Sequence, residues 1–265
     1  MPVIVTRPER EARGWVRELT QRGLQAQALP LIEIAPVADQ AALVQAWQHL
    51  GRYCAVMFVS GNAVNYFFAA RPPAVPPFDS AECGGVRAWA TGPGTAAALR
   101  RAGLAAALID SPPAQAGQFD SEALWRVVST QVHADGSVLI VRGGDAGQAA
   151  TGAAGDGRDW LAQRVVGALA QVDFVRAYER RVPAFSADDA AVAQRAATDG
   201  SIWLLSSVQA LANLRSWLPG QSWAGARALA THSRIAAAAK SGGFGVVCES
   251  RPTLPEVLAS IESMQ

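Results

Sequence analysis

The sequence predicts an α/β protein of two similar domains, each built on a parallel sheet. Three observations carry this expectation. Apolar runs of strand length alternate with amphipathic helical stretches along all 265 residues. The order and chemistry of these pieces recur in the two halves of the chain. An extended segment follows the first strand–helix pair of each half, placed so that the two segments can pair as a two-stranded bridge. Such a crossed chain puts residues 1–34 and 184–265 in one discontinuous domain and inserts residues 39–171 as the other. Residues 35–38 and 172–183 are then the links between them.

In chain order, Pro2–Thr6 is an apolar run ending at Arg7-Pro8, and Pro8 suits a first helical turn. The next stretch sets Ala12, Trp15, Val16 and Leu19 on one face and stops at Gly23, completing a β-α unit. Leu24–Ile34 reads as extended, and Pro30 and Pro36 mark an edge strand or connector. Asp39–Leu50 is helical through Leu43, Ala46 and Leu50. Tyr53–Val59 is nearly all apolar, as expected of a parallel strand covered on both faces. Ser60-Gly61-Asn62 then opens a helix over Ala63–Ala70, with Ser60 or Asn62 as its cap. Arg71–Phe78 is a proline-rich loop and Val86–Ala90 a strand. Thr91-Gly92-Pro93-Gly94 turns into an amphipathic helix that closes at Gly103. Ala105–Ile109 is a short strand, and a capped helix begins near Ser121-Glu122.

Ser137–Val141 is a strand ending at Arg142-Gly143-Gly144. Asp145–Gly157 is rich in Gly and Ala and reads as a flexible loop. Arg158–Leu169 is helical, and Gln171–Pro183 is extended and carries Val172, Phe174 and Tyr178. Helices follow at Asp188–Thr198 and Val208–Trp217, with the strand Ile202–Leu205 between them. Ala226–Ala230 is a strand, Thr231-His232-Ser233 opens a helix, Gly245–Cys248 is a short strand and Thr253–Met264 the last helix.

The duplication is legible residue by residue. MFVSGNAV at 57–64 corresponds to WLLSSVQAL at 203–211, and AWATGPGTAAALRRAGL at 88–104 to ALATHSRIAAAAKSGGF at 228–244. VIVTRP near the start corresponds to LIVRGG at 139–144.

Half of the residues are apolar and the net charge is +1, which favours a buried core and disfavours a polyanion partner held by bulk electrostatics. No nucleic-acid partner is expected. MPVIVTRPER lacks the basic and apolar regions of a signal peptide, and no apolar run reaches ~18 residues, so no membrane partner is expected. The three cysteines form no CxxC and suit reduced thiols in the cytoplasm. No GxxxxGK[ST] is present, and TGPGTA lacks the third glycine and the downstream acid of a dinucleotide fingerprint.

In parallel α/β sheets ligands sit beyond the carboxyl ends of strands. Those ends are Thr6-Arg7, Ser60-Gly61-Asn62, Thr91-Gly92, Arg142-Gly143, Ser206-Ser207 and Thr231-His232, and not one supplies an acid. This disfavours an aspartyl phosphoacceptor or a magnesium-dependent phosphotransferase. The ends offer hydroxyls, glycines and helix N-termini, which suit a ligand with many carboxylates or phosphates.

These motifs, in their order and spacing, resemble the uroporphyrinogen-III synthase family over essentially the whole chain. The resemblance is carried by Thr6-Arg7-Pro8, Leu29–Ile34, Phe58–Val64, Thr91–Ala96, Phe119–Leu124, Leu139–Gly143, Tyr178 within VRAYERR, Leu205-Ser206-Ser207 and Thr231–Ala236. It implies two flavodoxin-like α/β domains joined by a two-stranded β-ladder, a cleft between them, and no cofactor or metal. It implies a cyclising lyase of tetrapyrrole and heme biosynthesis, acting as a cytoplasmic monomer. Linear hydroxymethylbilane, a small-molecule polycarboxylate, would lose water and close to uroporphyrinogen III with its terminal pyrrole ring inverted. One departure stands out. The Arg-Gly-Gly turn is separated from a Gly157-Arg158-Asp159 helix start by the extra residues Asp145–Gly155, which leaves open whether Arg142 or Arg158 meets the substrate.

The family reading makes Tyr178 the proton donor to the departing hydroxyl; the alternative is a strand tyrosine packing at the bridge. Arg7, Ser60, Gly61, Asn62, Thr91, Gly92, Thr95, Arg142, Gly143, Ser206, Ser207, Thr231 and Ser233 are the candidate substrate-binding residues. Their hydroxyls either bind carboxylates or cap helices, and Arg7 is either a carboxylate clamp or a solvated charge. His232 is read as a cap-region histidine or a carboxylate ligand; His49 and His133 show no triad partners. The tryptophans read as packing. The rival function is a two-lobed cytoplasmic binding or regulatory protein that clamps a small polyanion without chemistry.

Overall fold

The computed structural model describes residues 1–113, 121–147 and 158–264. Phe119, Asp120 and residues 148–157, Gly157 among them, lie outside the described residues, as do the side chains of Arg158 and Asp159. The chain divides into two units, residues 1–33 with 181–265, and residues 34–180.

The first unit holds β1 (Val3–Val5), α1 (Glu9–Thr20) and β2 (Ala26–Ala28) from the start of the chain. The second unit's elements are β3 (Glu33–Pro36), α2 (Ala41–Gln48), β4 (Ala55–Phe58), α3 (Gly61–Ala69), β5 (Arg87–Ala90), α4 (Pro93–Arg101), β6 (Ile109–Asp110), α5 (Ser121–Val128), β7 (Ser137–Asp145), α6 (Arg158–Gly167) and β8 (Gln171–Arg181). The chain then returns to the first unit with α7 (Ala187–Ala196), β9 (Ile202–Leu205), α8 (Val208–Trp217), β10 (Arg227–Ala230), α9 (Ser233–Ser241), β11 (Val246–Glu249) and α10 (Leu254–Ser263).

The first unit's sheet has the order β11-β10-β9-β1-β2 with parallel pairing throughout. Read in chain order this is the 2-1-3-4-5 arrangement of doubly wound sheets. Central β1 and β9 are buried along their whole length, as their unbroken apolar runs require. Val3 and Val5 pack with Ala12 and Leu19 of α1 and Val257 and Ile261 of α10. Trp203 stands edge-on to Trp223 at 5.3 Å, and its ring N–H bonds the Ala196 carbonyl at 3.0 Å. Ser186 closes a capping box with Asp189 at the start of α7.

The second unit's sheet runs β3-β8-β7-β4-β5-β6, and every pair from β8 to β6 is parallel. Residue alternation along β4 sends Val56 and Phe58 to one core and Ala55 and Met57 to the other. The first core is aromatic. Trp47 stacks on Phe67 with centroids 4.7 Å apart, and its ring N–H bonds the Phe67 carbonyl at 2.8 Å. The second packs β-strand residues against Leu124 and Val128 of α5 and Leu161 and Val165 of α6. If β7 and β8 are matched to β1 and β2, and β4, β5 and β6 to β9, β10 and β11, both sheets have one strand order, with β3 added at the edge of the second. Trp47, Trp89 and Trp203 are fully buried, so these tryptophans are packing residues.

Four details differ from the sequence expectation. Ala105–Ile109 is not a strand: Ala106–Leu108 form a 3-10 turn, and the strand is Ile109–Asp110. Leu24–Ile34 is not one extended run: β2 belongs to the first unit's sheet and β3 to the second's, each at an edge, with Pro30 in the break. β7 does not stop at Arg142-Gly143-Gly144 but continues to Asp145, because both glycines stay paired with β8. The carboxyl end of β7 therefore does carry an acid, Asp145, which is engaged by Arg180 at 2.7 Å.

Candidate functional site

In the second unit the reactive groups gather at the carboxyl ends of β4, β7 and β8. Ser60 follows β4 and caps α3, its Oγ accepting the Ala63 N–H at 3.1 Å. The same Oγ lies 3.2 Å from the Tyr178 hydroxyl. Tyr178 is only 5% exposed and belongs to the core formed with α2, α3 and α4. Tyr66 flanks it with centroids 5.9 Å apart, and the Tyr66 hydroxyl donates to the Ile34 carbonyl at 2.9 Å. Gly143 pairs with Tyr178 across β7 and β8. Gly61 and Asn62 form the first turn of α3 beside Ser60.

Arg142 lies on the opposite face of the sheet, its guanidinium 4.6 Å from the centre of the exposed Phe174 ring. Thr91 Oγ1 donates to the Val59 carbonyl at 3.2 Å, which holds the β5–α4 turn against the end of β4. Gly92 occupies the cap of α4 without a side-chain acceptor, and Pro93 fills its first position. The amides of that first turn have no partner within the helix, so an anion can be accommodated there. Thr95, the third residue of α4, is buried in that same first turn.

The first unit repeats the plan with other residues. Ser207 caps α8, accepting the Ala210 N–H at 3.4 Å, and Ser206 precedes it. Thr231 Oγ1 donates to the Leu205 carbonyl at 3.4 Å, the counterpart of Thr91 on Val59. His232 caps α9 through Nδ1, which accepts the Arg234 N–H at 3.1 Å, and Ser233 opens the helix. Thr6, which sequence reasoning named only as a strand end, is buried and donates to the Leu204 carbonyl at 2.7 Å. This fixes the end of β1 against β9.

Arg7 and Arg142 take corresponding places, each one residue beyond the level of the last residue of the neighbouring central strand. Arg7 is held by Glu11 at 3.3 Å and lies 5.0 Å from the Trp15 ring centre. Its Nε is buried with no hydrogen-bond partner among the described residues. A buried donor left in that state is costly, and a ligand oxygen would relieve it.

Sequence reasoning missed Tyr66 and the close fit of Tyr178 on Gly143. The signal for the latter was Gly-Gly inside a strand pattern, which marks close approach as well as a turn. The groups with displaced proton affinities lie at the other, amino ends of the strands. Burial pushes the Tyr53 hydroxyl and the Cys54 thiol up, while Tyr53 also bonds Asp173 at 2.8 Å. The hydrogen bond from Arg87 to Asp110 raises the arginine. These groups brace the sheet rather than the strand ends where the candidates meet.

Fold and site together define a duplicated, doubly wound α/β protein in which the strand ends of each unit are built of hydroxyls, an arginine and helix caps, those of residues 34–180 also holding the buried Tyr178. The family model described as uroporphyrinogen-III synthase HemD matches residues 14–259. The chain belongs to the uroporphyrinogen-III synthase family. It is 34% identical over 104 residues to a uroporphyrinogen-III synthase of Chlorobaculum parvum, a stretch covering 38% of this chain and 39% of that relative. Two crystal structures share the fold at 14% identity. One is a mutant uroporphyrinogen III synthase from the extremely thermophilic bacterium Thermus thermophilus, with TM-score 0.55 and coverage of 100% of this chain and 98% of that one. The other is uroporphyrinogen-III synthetase from Helicobacter pylori, with TM-score 0.58 and full coverage of both chains.

Proposed function

We propose that the chain carries uroporphyrinogen-III synthase activity and that Tyr178 is its general acid. The observation that supports this most is the buried Tyr178 hydroxyl at the carboxyl end of the sheet, 3.2 Å from Ser60, in a chain of this family. Tyr178 gives its proton to the terminal hydroxyl of hydroxymethylbilane as the C–O bond breaks, and the hydroxyl leaves as water. The pyrrole nitrogen's electrons stabilise the resulting azafulvene cation. The substituted end of the terminal pyrrole attacks it, passing through a spiro intermediate, and rearrangement closes the macrocycle with that ring inverted. Loss of a ring proton restores the pyrrole and the tyrosine.

Substrate carboxylates are held by the backbone amides of Ser60, Gly61, Asn62 and Gly92 and the amides and hydroxyls of Thr91 and Thr95, with Gly143 lining the strand end. Ser206, Ser207, Thr231 and Ser233 play the same part in the first unit. Arg7 and Arg142 supply charge-assisted bonds. The chemistry is contained in protein and substrate, and positioning contributes much of the rate. The enzyme works as a cytoplasmic monomer, and the two units correspond to two domains.

The test is consumption of freshly prepared hydroxymethylbilane. Enzyme-dependent loss well above the spontaneous rate, saturating with substrate, supports the activity. Binding of the bilane with no acceleration of its loss would instead assign the protein to a polyanion-binding class.

A further inference from the structure

We propose that Gly143 and Ser60 are positioning residues for the Tyr178 hydroxyl, acting together with a one-residue bulge in β8; this rests on the reading of Tyr178 as the acid. Arg142 is paired with Arg176 and Gly143 with Tyr178, so Ala177 is the extra residue on β8. Before the bulge, alternation sends Val175 and Ala177 to the core formed with α2, α3 and α4. Strict alternation would put Tyr178 on the opposite face, with Phe174 and Arg176. The extra residue turns it back, so that Ala177 and Tyr178 share one core.

Gly143 makes the ring's place. A Cβ there would lie 2.3 Å from Tyr178 Cζ and 2.4 Å from Cε2. Those atoms are the far end of a side chain, so a larger residue would push the ring aside before it disturbed the strand. The next glycine serves the other face: a Cβ at Gly144 would lie 2.2 Å from Arg176 Nε. Ser60 then sets the direction of the hydroxyl. Its Oγ accepts from Ala63 N–H, which fixes the oxygen at the head of α3, 3.2 Å from the Tyr178 oxygen. Either hydroxyl can donate to the other at that distance, and Ser60 is taken as the donor. The Tyr178 proton is thereby left to point at substrate.

The test uses the full chain labelled with 3-fluorotyrosine. There are three tyrosines, and Tyr178→Phe identifies the Tyr178 resonance by its loss. Gly143→Ala and Ser60→Ala are expected to move the Tyr178 resonance and leave that of Tyr53 in place. In the same variants kcat falls at least about 10-fold with KM within about twofold, and Ser60→Thr restores much of it. In the Tyr178→Phe background the same substitutions cost less than about twofold, because the group they position is gone. An unmoved Tyr178 resonance, or an equal kcat loss in both backgrounds, would overturn the proposal. A KM rise without kcat loss in Ser60→Ala assigns the Ser60 hydroxyl, and not only its amide, to substrate binding and overturns its positioning role. Wild-type kcat in Tyr178→Phe alone overturns the acid reading; the fluorine shifts then still decide whether Gly143 and Ser60 place the ring.

Discussion

Arg7 and Arg142 show how one position in a duplicated fold acquires different surroundings. Arg142 rests on an exposed ring, Phe174, whereas Arg7 is packed between Glu11 and Trp15 with its Nε buried and without a hydrogen-bond partner among the described residues. If that donor serves the substrate, Arg7→Met is close to neutral for stability and raises KM about 10-fold or more, the scale of one charge-assisted bond. A KM unchanged within twofold would remove Arg7 from the binding set. Cys54 gives a second residue-scale prediction. Burial raises its thiol, so the folded state keeps the proton longer than the unfolded chain. Its contribution is full below the ordinary thiol range and is lost as pH rises through that range toward the folded value. Cys54→Ser keeps a donor for the Ser137 carbonyl, 3.3 Å from the native sulfur, and flattens the fall in unfolding free energy between about pH 8 and pH 10. An unchanged slope would contradict the assignment. The sequence showed Ser60, Thr91, Ser207 and Thr231 as strand-end hydroxyls because each sits between an apolar run and a helical pattern. It did not show that Thr91 and Thr231 donate to the Val59 and Leu205 carbonyls at the ends of neighbouring strands. Ser60 and Ser207 instead accept N–H groups of the helices they cap.

At the scale of elements, the best-read strands were those covered on both faces. β4 and β9 are short apolar runs with no competing helical period. Among the misread elements, β7 shows the physical reason most clearly. Glycine pairs are turn signals when only local preference is considered, and the reason these two stay in a strand is non-local: Tyr178 and Arg176 cover their bare faces. The end of α6 carries a local conflict of another kind. Leu169 follows the helix with φ 62° and is 75% exposed, so its side chain adds strain without burial. Leu169→Gly is expected to raise stability by about 0.5–1 kcal/mol, seen as a higher denaturant midpoint at unchanged slope. An equal or lower midpoint would mean that the left-handed turn costs nothing there. Ser186→Ala removes the capping box of α7 and is expected to cost about 1 kcal/mol by the same measurement.

At the scale of the whole molecule, the duplication is also a permutation. Apart from the added edge strand β3, both units use one strand order, yet the first begins with β1 and β2 whereas the second ends with their counterparts β7 and β8. That pattern was legible because matching segments such as Ala88–Ala90 and Ala228–Ala230, each followed by threonine, survive at corresponding places. Residues 34–180 form a continuous unit with two cores of its own. A fragment of those residues is expected to fold alone with one cooperative transition; a fragment that stays unfolded would contradict its standing as a domain. The most direct measurement is the isomer composition of the product. The chain and its Tyr178→Phe variant are supplied with hydroxymethylbilane, the products are oxidised, and type I and type III uroporphyrins are separated. The account predicts mostly type III from the native chain and, from the variant at the same enzyme concentration, a type III rate lower by about 100-fold with type I prevailing. Only type I from a correctly folded native chain would contradict it.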